Sequence, residues 1–302
     1  MSKVIHLETI SDLHQLLQQP KAKHPLLSVV DFTQFDEQFG AGLKMSSGFY
    51  TIMYKNYCVN TLKYGRHHYD FQEGSLMCIA PQQVITLDEA VEKRADAMGW
   101  GLFFHPDLIR GTALGQRIKD YTFFAYETNE ALHLSEKEER TLFDGVQKIS
   151  AELAENIDRH SQTLLVSNLE LLLNYCTRYY DRQFITRKNA NKDILSKVEE
   201  LLTQYFQSPN TPEKGLPTVK YLADQVFLSP NYLSDLLKRE TGMNAQDRIH
   251  YHLIEEAKSL LLNSNQSVGE LAFALGFEYP QYFSRLFKAK TGMTPLEFRN
   301  GN

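Results

Sequence analysis

The sequence predicts a multidomain chain: an all-β sandwich or barrel in front, a helical segment behind it, and an all-α unit at the C-terminal end. Three observations carry this expectation. Short β-like runs bounded by turn residues fill the chain up to about Glu130, the apolar period turns helical from Ser135, and the C-terminal third contains an internal repeat.

With 302 residues, 42% hydrophobic and 23% charged, the chain suits an ordinary folded protein of about two domains. Its longest apolar runs, Leu26 to Val30 and Leu169 to Leu173, are far too short for a bilayer. Met1 to Glu8 has no secretory-type apolar core. Cys58, Cys78 and Cys176 are odd in number and far apart, so neither a disulfide framework nor a zinc pair is expected. The expectation is a soluble, cytoplasmic protein with no cofactor and no membrane partner.

In the first part, the runs Phe49 to Tyr54, Tyr57 to Leu62 and Ser75 to Ala80 are punctuated by Gly65, Glu73-Gly74 and Pro81. Residues 1–130 therefore read as one β domain. Leu142, Val146, Ile149 and Leu153 then recur at helical spacing, as do Leu165, Leu169, Leu172 and Cys176 within a stretch from about Ser161 to Asp181. These stripes exceed what one small barrel needs as cover, so residues 131–185 are expected to pair with a second copy and make a homodimer, the alternative being purely intrachain packing. The polar stretch 186–192 reads as a linker, and 193–302 as the C-terminal domain.

The repeat matches Pro230-Asn231-Tyr232-Leu233-Ser234-Asp235-Leu236-Leu237-Lys238 to Pro280-Gln281-Tyr282-Phe283-Ser284-Arg285-Leu286-Phe287-Lys288 at an offset of 50 residues. Thr241-Gly242-Met243 matches Thr291-Gly292-Met293 at the same offset. Leu222-Ala223 answers Leu271-Ala272 at an offset of 49, which puts one extra residue in the second copy's turn. Each copy reads as helix, tight turn, helix. Thr218 caps a helix through about Val226; Ser229 caps a second, which Pro230 opens and Gly242 ends. In the second copy Ser267 and Glu270 form a capping box, Pro280 opens the next helix, Gly292 stops it, and Thr294, Pro295 and Glu297 start another. Between the copies, residues 245–262 make a single helix of roughly 27 Å at 1.5 Å per residue.

The second helix of each copy has two faces. Leu233, Leu236 and Leu237, like Phe283, Leu286 and Phe287, form a buried stripe. Opposite lie Asn231, Ser234, Asp235 and Lys238, matched by Gln281, Ser284, Arg285 and Lys288, a line of hydrogen-bonding groups at i, i+3, i+4 and i+7. In a helix-turn-helix such a line enters the major groove of double-stranded DNA, where Asn, Gln and Arg read base edges and Lys neutralises phosphate. One such face is as well explained by a solvated helix surface; two matched faces favour DNA. Charge does not oppose this. The chain carries −5 overall, but from Arg187 onward 14 Lys and Arg stand against 13 Asp and Glu, and the rest holds 18 against 24.

From about Lys192 to Asn302 the chain resembles the DNA-binding domain of AraC/XylS transcriptional regulators. The resemblance rests on Phe287-Lys288, Thr291-Gly292, Thr294-Pro295 and Phe298-Arg299 after the helix of Leu271-Ala272 and Gly276-Phe277. It implies seven helices, two helix-turn-helix units joined by a long helix, sequence-specific DNA binding and RNA polymerase as a partner. Asp235 departs from the basic or amide residue of many relatives; an acid there repels phosphate and can accept from cytosine N4. The β-rich part is similar, through Phe71 to Leu76 leading to Ala80-Pro81 and through Phe103 to Leu108, to cupin-like jelly-roll domains that bind effectors in such regulators. That similarity implies a small-molecule or partner signal received at the N-terminal domain, and dimerisation through the helices that follow.

Many cupins are metalloenzymes, and His67, His68, Glu73 and His105 are the available ligands. Adjacent histidines on a strand point to opposite faces, and no second cluster completes a site, so no metal is expected. His105 before Pro106 reads as a turn residue, and Cys58 and Cys78 as small buried hydrophobes. No nucleophile, phosphate loop or paired-carboxylate motif appears, so the chain reads as a regulator and activator rather than an enzyme. The alternatives are a cupin-type metalloenzyme with a helical accessory domain and a sequence-indifferent architectural DNA binder.

Overall fold

The computed structural model describes residues 4–34, 44–56, 63–64, 67–68, 74–86, 99–127, 130–206, 208 and 215–301. The chain divides between Thr186 and Arg187 into two compact units. The strands of the first are β1 (Ile5–Leu7), β2 (Leu27–Asp31), β3 (Lys44–Ser47), β4 (Tyr50–Lys55), β5 (Lys63–Tyr64), β6 (His67–His68), β7 (Ser75–Ile79), β8 (Ile85–Thr86), β9 (Gly99–Phe104) and β10 (Leu132–His133). Its helices are α1 (Ile10–Leu16), α2 (Pro106–Ile109), α3 (Ala113–Arg117), α4 (Glu136–Glu152) and α5 (Ser161–Thr186).

Five strands form an antiparallel sheet in the order β10-β7-β4-β9-β2, β1-β3-β8 form a second sheet with β1 and β3 parallel, and β5 pairs with β6. The front of the chain is thus β structure, as its runs and turn residues predict. Among the described residues the strands make two sheets and a hairpin rather than one closed jelly roll. The predicted run Tyr57 to Leu62, with Cys58, and the stretch Phe71 to Glu73 lie outside the described residues.

Register decides which side chains share a face. Tyr50, Ile52 and Tyr54 on β4 stand opposite Phe104, Leu102 and Trp100 on β9, and Ile52 and Tyr54 also oppose Cys78 and Leu76 on β7. Tyr50 stacks on Phe104 at 4.9 Å, and Tyr54 on Trp100 at 5.8 Å. Phe103 points the other way, into a core with Leu7, Ile10, Leu13, Val30 and Phe49. Both faces of β9 are therefore covered, which explains its unbroken Gly-Trp-Gly-Leu-Phe-Phe sequence. Gly101 is glycine because a Cβ there would come within 2.6 Å of the Phe32 and Phe103 rings.

Helices α4 and α5 pack against one another. Buried Gln183 on α5 accepts from His133 N–H and donates to the Ala131 carbonyl, which occupies the backbone of edge strand β10. Arg182 adds a 2.6 Å bond to Glu138 on α4 and another to the His133 carbonyl. This packing corrects the ground on which a homodimer was expected. Leu142, Val146, Ile149, Leu165, Leu169, Leu172 and Cys176 are all buried inside the unit and Leu153 half so. A helical stripe announces burial but not against what; here the covering partner is the same chain.

The second unit holds α6 (Lys188–Phe206), α7 (Val219–Val226), α8 (Pro230–Thr241), α9 (Ala245–Asn263), α10 (Val268–Ala274), α11 (Pro280–Thr291) and α12 (Pro295–Gly301). The polar stretch 186–192, read as a linker, is helical at Thr186 and again from Lys188. Leu253, Ile254, Ala257 and Leu261 on α9 join Leu271, Ala272, Leu275, Phe277, Phe283 and Phe287 in one core, while the front of α9 packs with α6 and α8. Among the described residues no helix is long and apolar enough to cross a membrane.

Candidate nucleic-acid interface

The two helix-turn-helix copies, α7–α8 and α10–α11, close their turns alike. Phe227 and Gly276 sit at positive φ, +59° and +90°, and the next amides, Leu228 and Phe277, bond back to the Ala223 and Ala272 carbonyls at 3.1 and 2.9 Å. Glycine takes that conformation without penalty; Phe227 bears a steric cost there, and the residue is 66% exposed. Thr218, Ser229 and Ser267 cap α7, α8 and α10 through their hydroxyls, the last as a capping box with Glu270. Gly242 and Gly292, at φ +78° and +81°, end α8 and α11, each amide 2.8 Å from the Lys238 or Lys288 carbonyl. Thr241 and Thr291 then donate to the Leu237 and Phe287 carbonyls, both at 2.8 Å.

Inside these frames Leu233, Leu236, Leu237, Phe283 and Phe287 are fully buried and Leu286 half-buried. Asn231, Lys238, Gln281, Arg285 and Lys288 are exposed; Ser234, Asp235 and Ser284 are half-buried. The eight side chains thus lie on the faces that the sequence assigns to them.

The copies differ in what holds that face. Ser234 Oγ accepts from the Ala245 amide at 3.3 Å, the first residue of α9. In the second copy the residue 50 positions on is Pro295, which has no N–H to give Ser284. Tyr232 is 0% exposed and its hydroxyl takes a 3.4 Å bond from Arg187, while Asn191 on α6 reaches Glu240 at 3.4 Å. Tyr282, its repeat equivalent, is 53% exposed, and the Arg285 guanidinium lies over its ring at 5.6 Å. Arg187, Asn191 and Tyr282 are contributors that pattern reading passed over.

Three further contacts fix the unit. Glu199 on α6 accepts from Arg248 at 2.7 Å and pairs with His252 at 2.8 Å, both on α9. Lys290 on α11 pairs with Asp247 at 3.0 Å, and that bond holds the Asp247 carboxyl below its usual range. Arg299 Nε donates to the Leu261 carbonyl near the end of α9 at 2.9 Å, and Glu297 boxes the start of α12 with Thr294.

In the first unit, His105 caps α2, its Nδ1 accepting from the Asp107 amide at 3.2 Å, which is the turn role expected of it. His67 and His68 lie on β6, and Glu73 lies outside the described residues. Among the described residues no group of three or more His, Cys, Asp or Glu is arranged to hold a metal. Cys78 is buried beside Cys176, and burial raises its thiol well above the ordinary value. A recess bordered by Cys78, Gln83, Phe123 and Tyr180 has room for about one water.

Residues 222–301 match a family described as a helix-turn-helix domain. Over 109 residues the chain is 36% identical to the uncharacterized transcriptional regulatory protein YesN of Bacillus subtilis (strain 168), covering 35% of this chain and 28% of that protein. Over 143 residues it is 36% identical to the arabinose operon regulatory protein of Escherichia coli (strain K12), covering 47% of this chain and 46% of that one. Among solved structures, the C-terminal domain of the two-component response regulator YesN from Fusobacterium nucleatum is 32% identical, with a TM-score of 0.31, and covers 37% of this chain and 98% of that one. The chain spans less than half the length of these curated relatives.

Proposed function

The second unit of this chain belongs to the AraC/XylS family of helix-turn-helix domains, and from that premise we propose that the protein is a transcriptional regulator that binds double-stranded DNA by sequence. The observation that carries the reading is one polar line, exposed or half-buried, repeated on two helices that open with a proline, end at a left-handed glycine and bury matched apolar stripes. Asn231, Ser234, Asp235 and Lys238 form the first reading line; Gln281, Ser284, Arg285 and Lys288 form the second. The 19 residues of α9 span about 28 Å, close to the roughly 34 Å turn of B-DNA. One chain so offers its two helices to successive major grooves. The curated relatives are named as regulators, which leaves the metalloenzyme reading without support.

The finer assignments extend this proposal. Residues 193–302 bind DNA, residues 1–130 act as a cupin-like domain that receives a small molecule or partner, 131–185 pair two copies, and 186–192 pass between. The protein works in the cytoplasm as an activator that engages RNA polymerase. A homodimer now draws on the outer side of α5, where Leu164 and Leu171 are exposed two turns apart. Light scattering at tens of micromolar tests the pairing, and a monomer with and without DNA removes it.

The DNA reading is tested by selection from a random duplex pool with the purified full chain. The selected duplex should bind about a thousandfold or more tighter than its scrambled version at physiological salt. Equal binding to both would make the protein an architectural binder, and no binding at all would end the proposal.

A further inference from the structure

The two copies place a tyrosine at the same repeat position and use it in opposite ways. Tyr232 is fully buried, its hydroxyl taking a bond from Arg187, and the acid Asp235 stands three residues on. Tyr282 stays at the surface, and Arg285 stands three residues on with its guanidinium over the ring at 5.6 Å. Tyr279 backs the stack edge-on, its centroid 5.8 Å from that of Tyr282 and its plane at 83°. Tyr279, Tyr282 and Arg285 follow at i, i+3 and i+6, a row beside the line of Gln281, Ser284, Arg285 and Lys288.

We propose that Tyr282 is a positioning residue for Arg285: its ring holds the guanidinium in the orientation from which that group reads a base edge. This rests on the assignment of α11 as a reading helix. A guanidinium is a planar fork of five donors. Held over a ring face by cation–π attraction, it loses side-chain freedom and leaves its edge N–H groups available to a bidentate acceptor such as guanine O6 and N7. An exposed arginine without such support must be immobilised at the moment of binding, which weakens the contact. The first copy has no counterpart, because its tyrosine is buried and an aspartate replaces the arginine. The row therefore belongs to the second copy alone, and it makes base preference depend on a side chain that itself reads no base.

The test uses the full chain and the duplex it selects from a random pool, with all four base pairs tried at the position whose preference Arg285→Ala abolishes. Tyr282→Phe keeps the ring and should keep that preference. Tyr282→Leu should reduce it about three- to tenfold while the salt dependence and the melting temperature stay in place. Combined with Arg285→Ala, Tyr282→Leu should add nothing further. The inference is overturned if Tyr282→Leu retains full preference, or if the effects add. It is equally overturned if Tyr282→Phe loses as much as Tyr282→Leu, since the hydroxyl would then be the working group. A loss in Arg285→Ala without one in Tyr282→Leu removes the positioning role only. No loss in Arg285→Ala removes the reading helix and the positioning role together.

Discussion

The first helix-turn-helix copy is braced and the second is presented. Their sequences match at the apolar stripe, the opening prolines and the terminal glycines, yet α8 is tied down by Arg187 through Tyr232, by Asn191 through Glu240, and by the Ala245 amide through Ser234. On α11 the equivalent Tyr282 stands at the surface, Pro295 takes the repeat position of Ala245 and brings no N–H, and an arginine replaces the aspartate. A repeat in sequence therefore fixes the backbone frame twice, while the neighbours of each copy decide what the frame is free to do. Helix α6 packs on α7, α8 and α9, and Phe206 at its end also lies against the core that Phe283 and Phe287 share.

The largest effect that would break this comparison lies at the tyrosine pair. Tyr232→Ala should destabilise the unit by about 3–5 kcal/mol, because removing a fully buried aromatic leaves a cavity. Tyr282→Ala should stay within about 0.5 kcal/mol. Urea unfolding of the two variants decides, and equal losses would make the copies structurally equivalent after all.

Next comes the pair at the reading line. Arg285→Ala should cost roughly 1–3 kcal/mol of binding at one base pair. Asp235→Ala should cost little, or tighten binding to all sequences, since it removes a charge that repels phosphate. Lys288→Ala should weaken binding evenly and lower the salt slope by about one unit. Isotherms at several salt concentrations on selected and scrambled duplexes measure all three.

A smaller difference is expected at the serines. Ser234→Ala should lose about 0.5–1.5 kcal/mol of stability through the Ala245 bond, whereas Ser284→Ala should lose almost none, since Pro295 offers no donor. Thermal melts of the two variants provide the comparison.

The smallest effect is acid sensitivity. Glu270 and Glu297 sit below their usual range because the backbone N–H groups of Ser267 and Thr294 bond to the carboxylates. Carboxyls depressed in this way stabilise the fold above the ordinary range of about 4.3 and lose that contribution as pH falls through the folded value. The caps of α7, α8 and α9 are Thr218, Ser229 and Asn244, which carry no charge. Amide exchange below about pH 4 should therefore accelerate in α10 and α12 before α7 and α8. The reverse order would contradict the assignment of the caps.

The frame of the second unit was legible because its signals are local. Serine and threonine caps, Pro230 and Pro280 at first helical turns, Gly242 and Gly292 at left-handed ends, and the run from Ala245 each act within a few residues of where they stand. What was not legible depends on contacts distant in sequence. Nothing in Tyr232 or Tyr282 says which will be covered, because the cover comes from residues distant in sequence, and one partner of the Tyr232 hydroxyl, Arg187, lies inside a stretch whose polar composition reads as a linker. Ser234 matched the reading line by spacing, yet its hydroxyl serves the start of α9. The stripes of α4 and α5 announced buried faces but not the partner, and the chain supplies that partner itself. In the first unit, His105 and Cys78 were legible as a turn residue and a small buried side chain, since neighbouring Pro106 and the run Ser75 to Ala80 define their surroundings.

The central claim is that both copies face DNA and that the second does the sharper reading. The most direct measurement compares the sites selected from one random duplex pool by the unaltered chain and by Arg285→Ala and Asp235→Ala. The unaltered chain should select two preferred blocks about 10 base pairs apart. Arg285→Ala should lose a defined base in one block, and Asp235→Ala should select the same two blocks. Identical selected sites from the unaltered and Arg285→Ala chains, or a single uninterrupted block, would contradict the claim.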